Sequence, residues 1–129
     1  MRKYLNLIMI LISIATIGSG LVQLIMPAFV LKIVGAAINE TASHFFSIVG
    51  MFMVLFGGLM LHTIYSPVHN PVAVQWSALQ KLGAFLAVGL GITKGIFSMA
   101  AAPVALFDLF SGLLFFYYNH YIKRSDENT

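Results

Sequence analysis

Four polar side chains stand out in this chain because their neighbours are so apolar: Gln23, His44, Lys94 and Asp108. Lys94 and Asp108 fall within GITKGIFSMAAAPVALFDLFSGLL (residues 91–114), a stretch otherwise fit for a lipid interior. A lone charge at the centre of a bilayer costs roughly 3 to 15 kcal/mol, so an ammonium and a carboxylate there should pair or do work. Lys94 follows Gly91 by three residues, and Asp108 precedes Gly112 by four. Each charge therefore shares a helical face with small residues and turns toward protein. Helical rise puts each within roughly 10 Å of the turn that joins the two segments. That spacing predicts a Lys94–Asp108 pair. The alternative is that Lys94 snorkels to the interface and leaves Asp108 protonated or hydrogen-bonded to a helix. Gln23, late in the first apolar segment, and His44, at the start of the second, complete a layer with one member per segment. Such a layer would bind a polar headgroup, an anion or a quinone carbonyl. Taken alone, His44 reads more simply as an interfacial residue.

A second polar group comprises His62, Gln75, Gln80 and Lys81, with His120 beyond. Lys81 lies five residues past Trp76, close enough to an interface to snorkel to its phosphates. By helical rise it is too far along the axis to meet Asp108. The four histidines are not spaced as i, i+4 pairs and fall at different depths, so no metal or haem site is expected. No serine–histidine–acid arrangement stands out, and no cofactor is implied. Cysteine is absent, which removes thiolate ligands and cysteine nucleophiles together.

The elements that must position these groups follow from composition. The chain has 129 residues, 60% of them hydrophobic and 9% charged, far from the roughly 25% charged residues of a soluble domain. Mean hydropathy is +0.93. The polar surface is too small to cover a globule in water, so the solvent is lipid. A net charge of +3 from scattered groups gives no clustered basic face for nucleic acid. The fold class expected is all-α: one membrane domain, a four-transmembrane-helix bundle with helices at about 4–26, 42–65, 72–97 and 102–122. The first apolar run is longer than the h-region of a signal peptide and reads as a retained helix.

Arg2, Lys3, Lys123 and Arg124 flank one side, which places both termini in the cytoplasm by the positive-inside rule. Trp76, Tyr117, Tyr118 and Tyr121 fall on that side as an aromatic belt. In the first outer loop, PAFVLKIVG reads as a short interfacial helix ended by Gly35. Asn39-Glu40-Thr41 matches a glycosylation acceptor but reads better as the cap of the next helix. GSGLVQLI (18–25) parallels GLGITKGI (89–96), and FGGLMLHTIY (56–65) parallels FSGLLFFYYN (110–119), a faint sign of two related hairpins.

Helices associate in lipid through small residues that let backbones approach. Gly83, Ala87, Gly91 and Gly95 recur every fourth residue, Gly50 and Gly57 mark the second helix, and Thr16, Ser19 and Gly20 the first. Packing within the chain is the reading taken for the 83–95 stripe, with a dimer across it as the rival.

With Gly18 and Gly20 leading to Pro27, Gly50, the Gly57-Gly58 pair, Trp76, Lys81 and Asp108 in place, the chain resembles the DoxX-like group of small four-helix membrane proteins. The resemblance extends over nearly the whole length. It implies accessory subunits of membrane oxidoreductases near the quinone pool, or assembly factors for other membrane proteins. The cysteines of some redox-linked members are missing, and no catalytic residue is carried over. The expected function is a non-enzymatic accessory or assembly subunit in a bacterial inner membrane. Its expected partners are the lipid bilayer and either another membrane protein or further copies of itself. The alternative is a lipid- or quinone-binding redox-linked subunit that uses the Gln23–His44–Lys94–Asp108 layer. A small transporter is a third reading.

Overall fold

The computed structural model describes residues 2–127. They form helices α1 (Arg2–Ile25), α2 (Pro27–Ile33), α3 (Glu40–Tyr65), α4 (Pro71–Thr93) and α5 (Ala102–Glu127), with a 3-10 turn at Met99–Ala101. There is no strand among the described residues. Three helical stretches are long and apolar enough to cross a membrane: α1, α3 and Met99–Arg124. This is the signature of a membrane protein.

Local chemistry explains the boundaries. Pro27 and Pro71 open α2 and α4, where a missing N–H costs nothing. Asn39 caps α3, its side chain accepting a hydrogen bond from the Ala42 N–H at 2.8 Å. Both α2 and α4 stop at a glycine with positive φ, Gly35 at 72° and Gly95 at 73°. After α2 the Ala36 N–H reaches the Leu31 carbonyl and the Gly35 N–H that of Lys32; after α4, Ile96 reaches Gly91 and Gly95 reaches Ile92. These are two Schellman motifs, in which only glycine takes the left-handed position without strain. The second ends α4 at Thr93, four residues short of the expected 97, while α5 runs past the expected 122 to Glu127.

The chain folds as two antiparallel hairpins, α1 against α3 and α4 against α5, with sparser contact between them. The first hairpin is joined through small residues. A Cβ on Gly50 would stand 2.7 Å from the Gly20 carbonyl oxygen, and one on Gly57 would stand 2.7 Å from Ile17. In the second, Gly112 lies under Leu82 and the Ala78 carbonyl. The stripe expected on α4 does not pack within the chain. Gly83 and Ala87 are exposed, and a Cβ on Gly83 would meet nothing within 4 Å. Gly91 is covered by the Phe97 ring, and Gly95 lies beyond the helix end. The buried face of α4 is Val74, Ser77, Ala78 and Lys81. At about 100° per residue, Gly83 is rotated roughly 200° from Lys81, onto the opposite side.

The largest apolar cluster joins Leu5 and Met9 of α1, Met60 of α3, Val74 of α4, and Phe115, Tyr118 and Ile122 of α5. Leu5 and Ile122 share it, so the start of α1 and the later turns of α5 lie at one end of the bundle. Tyr118 belongs to this core, 4% exposed with His69 edge-on to its ring, rather than to an interfacial belt. Trp76 is 60% exposed.

Candidate functional site

The polar centre of the bundle is built on Lys81. Its helix turns the side chain inward, and the residue is 4% exposed. The ammonium donates to Thr16 Oγ1 of α1 at 2.7 Å and to Asp108 Oδ1 of α5 at 3.4 Å. Thr16 in turn donates its hydroxyl proton to the Ile12 carbonyl at 2.8 Å, which leaves an oxygen lone pair facing Lys81. The Phe107 ring covers the ammonium at 5.0 Å from its centroid. One lysine therefore ties α4 to its hairpin partner α5 and to α1 of the other hairpin.

Beside this node is a cavity of about 10 Å³ lined by Ser13, Thr16, Ser77, Gln80 and Lys81 on its polar side and by Phe56, Met60 and Phe115 among others. That is room for about one water molecule. Ser77 Oγ and Gln80 Oε1, both buried, have no hydrogen-bond partner in the protein. Ser13 spends its hydroxyl on the Met9 carbonyl.

The expected partner of Asp108 was Lys94, and the structure corrects this to Lys81. The reason is the early end of α4 at Gly95 together with the 3-10 turn, which lengthens the α5 rod downward to Met99. From Lys81 to Thr93 is about 18 Å of helix, and from Asp108 back to Met99 is about 15 Å, so the two side chains meet at nearly equal depth. Lys81 accordingly does not snorkel. Lys94 sits at the C-cap of α4 and is exposed, as is His44 near the start of α3. Gln23 is buried, but its amide donates to the Phe46 carbonyl at 3.0 Å and is occupied in joining α1 to α3. No hydrogen bond or ion pair links any two of Gln23, His44, Lys94 and Asp108 among the described residues. The residues that sequence reasoning missed at the centre were Lys81 and Ser77. Their signal was that Val74, Ser77, Ala78 and Lys81 stand at i, i+3, i+4, i+7 and so share one helical face, with two small residues on it.

At the α2 end, the turn after α4 is pinned to the segment after α2. The Ser98 N–H donates to the Val34 carbonyl at 2.8 Å and the Ser98 hydroxyl donates to the same oxygen at 3.2 Å. Ser47 of α3 donates to the Leu24 carbonyl at 2.7 Å. Among the described residues, no group of three or more histidine, aspartate and glutamate side chains could hold a metal.

No family model matches this chain, and no curated protein or solved structure matches it either.

Proposed function

We propose that the chain is a four-span bundle of a bacterial inner membrane that works without catalysis, as an accessory or assembly subunit binding another membrane protein. In this reading α4 spans with the other three helices, its Lys81 neutralised inside the bundle. Both termini face the cytoplasm, as Arg2, Lys3, Lys123 and Arg124 at their end favour. The same role is what the resemblance to DoxX-like proteins implies.

One observation carries the proposal. The small-residue face of α4, Gly83 and Ala87 between the exposed Leu79, Leu86 and Leu90, is turned away from its own bundle. In lipid, a notch of small residues between leucines gains nothing from acyl chains that a leucine would not gain, but it admits a second helix at close range. Meanwhile the polar atoms at the bundle centre are largely spent on one another, Lys81 on Thr16 and Asp108.

The experiment is purification from native membranes in mild detergent, wild type beside Gly83→Leu. The wild type should bring down one membrane protein in stoichiometric amount, and the leucine should abolish this while leaving the chain's own unfolding midpoint unchanged. Recovery of a solitary monomer, or recovery of the partner undiminished by Gly83→Leu, would overturn the reading. If the partner is a second copy of this chain, the complex is a homo-oligomer and the accessory role falls.

A further inference from the structure

At the α2 end of the bundle lies a cleft of about 300 Å³, lined by Leu31 of α2, Ala37 and Asn39 of the connecting segment, Ala42 and Phe45 of α3, and Ile96 of the turn after α4, with further apolar side chains between them. Asn39 alone among these carries a polar side chain, and its oxygen is already engaged by the Ala42 N–H. The walls come from both hairpins, and the Ser98 hydrogen bonds to Val34 hold them together. The cleft is thus a formed feature of the fold, and its volume reaches the lower range of small-molecule sites.

We propose that this cleft seats an acyl chain of an anionic phospholipid, whose phosphate is held by Lys32 and Lys94. The inference needs the bundle to lie in a membrane but does not rest on the accessory role. Its place in the fold and the charges at that end support it. The cleft lies at the end where α1 and α2 meet and α3 begins, which for a spanning bundle is the level where headgroups give way to acyl chains. An apolar recess at that level is filled by lipid, because water gains nothing there. Finally, the charges at this end of the bundle favour a negative headgroup. Lys32 and Lys94 do not line the cleft, but they belong to the two segments that the Ser98–Val34 hydrogen bonds hold together, the last turn of α2 and the turn after α4; both side chains are exposed and neither has an ion-pair partner among the described residues. Against them stands one carboxylate, Glu40, at the start of α3. The exposed His44, beside the lining residue Phe45, adds a hydrogen-bond donor. The α2 helix itself contributes the lysine from its last turn, so one short element supplies both a wall and a charge.

Native mass spectrometry of the purified protein with added dioleoyl phosphatidylglycerol or dioleoyl phosphatidylcholine tests this. One tightly retained phosphatidylglycerol per chain is expected, preferred over phosphatidylcholine. Each of Lys32→Gln and Lys94→Gln should reduce that preference by about fivefold, the usual weight of one lysine at an anionic surface. Ala37→Trp and, separately, Ala42→Phe should fill the cleft and lose retention of both lipids, with the unfolding midpoint serving as the check that each variant is folded. Equal retention by wild type and a folded cleft-filling variant would overturn the proposal, since the lipid would then be annular. Preference unmoved by either glutamine would overturn the assignment of the phosphate to the lysines. Displacement by decylubiquinone but not by phosphatidylglycerol would replace the phospholipid with a quinone.

Discussion

Removing either member of the Lys81–Asp108 pair should destabilise the bundle far more than removing both. At 3.4 Å, two unit charges attract by about 5 kcal/mol in a medium of effective dielectric near 20. Burying them costs a comparable amount, so the net worth of the intact pair is small. Stranding one charge is a different matter, typically about 3 to 5 kcal/mol. The separation here exceeds the roughly 2.7–2.9 Å of a tight charge-assisted bond, which argues for the lower figure. Lys81→Met should therefore cost about 3 kcal/mol, because it leaves Asp108 with no partner in the protein. Asp108→Leu should cost somewhat less, because Lys81 keeps its bond to Thr16 and the face of Phe107. The double variant should lose only about 1 kcal/mol, giving a coupling energy well above the ~0.5 kcal/mol scatter of independent sites. Equilibrium unfolding in mixed micelles, read by helical circular dichroism on all four proteins, supplies the cycle. Additive losses would refute the reasoning, since they would mean that the two groups do not sense each other.

Other perturbations separate local from tertiary contributions. Gly50→Ala should cost about 1–3 kcal/mol by driving a methyl against the Gly20 backbone, whereas Gly83→Ala should not destabilise the isolated chain; the same unfolding assay compares them. Gly95→Ala meets no neighbouring atom, so its expected loss of about 1–2 kcal/mol in the same unfolding assay is the left-handed backbone alone. Asn39→Ala should cost about 1 kcal/mol through the lost cap and speed amide exchange at Ala42. Ser77→Ala removes a buried hydroxyl with no protein partner and should leave the unfolding midpoint unchanged or raised; a clear fall would mean that the hydroxyl is bonded, through a water in the adjoining cavity.

What could be read from the sequence was what short-range chemistry decides. The short helix ending at Gly35 and the cap at Asn39 depend on a few adjacent residues, and both stand where the chain's own pattern put them. The approach of Gly50 and Gly57 to α1 likewise follows from small residues placed where two hydrophobic helices must cross. The pairing of Asp108 was not legible, because it depends on where α4 stops. Gly95 carries the stop signal, yet it sits in an apolar run, GITKGIF, that would serve equally well as helix. Moving that end by four residues, together with the 3-10 turn that extends α5 back to Met99, brings Lys81 rather than Lys94 to the depth of Asp108. The outward face of α4 has a related cause: once Lys81 must be buried, Gly83 cannot be. Position hid this too, since Lys81, five residues past Trp76, reads as a side chain that snorkels to the interface, although that spacing puts the two side chains on different faces.

The central claim is that the ammonium of Lys81 lies inside the bundle against the carboxylate of Asp108. Solid-state NMR in lipid bilayers, measuring dipolar coupling between lysine side-chain nitrogen and aspartate carboxyl carbon, reads that contact directly. One coupled pair is predicted, at a separation consistent with the 3.4 Å nitrogen–oxygen distance, lost in Lys81→Met and intact in Lys94→Met. Its loss in Lys94→Met, or no coupled pair in the wild-type protein, would contradict the account.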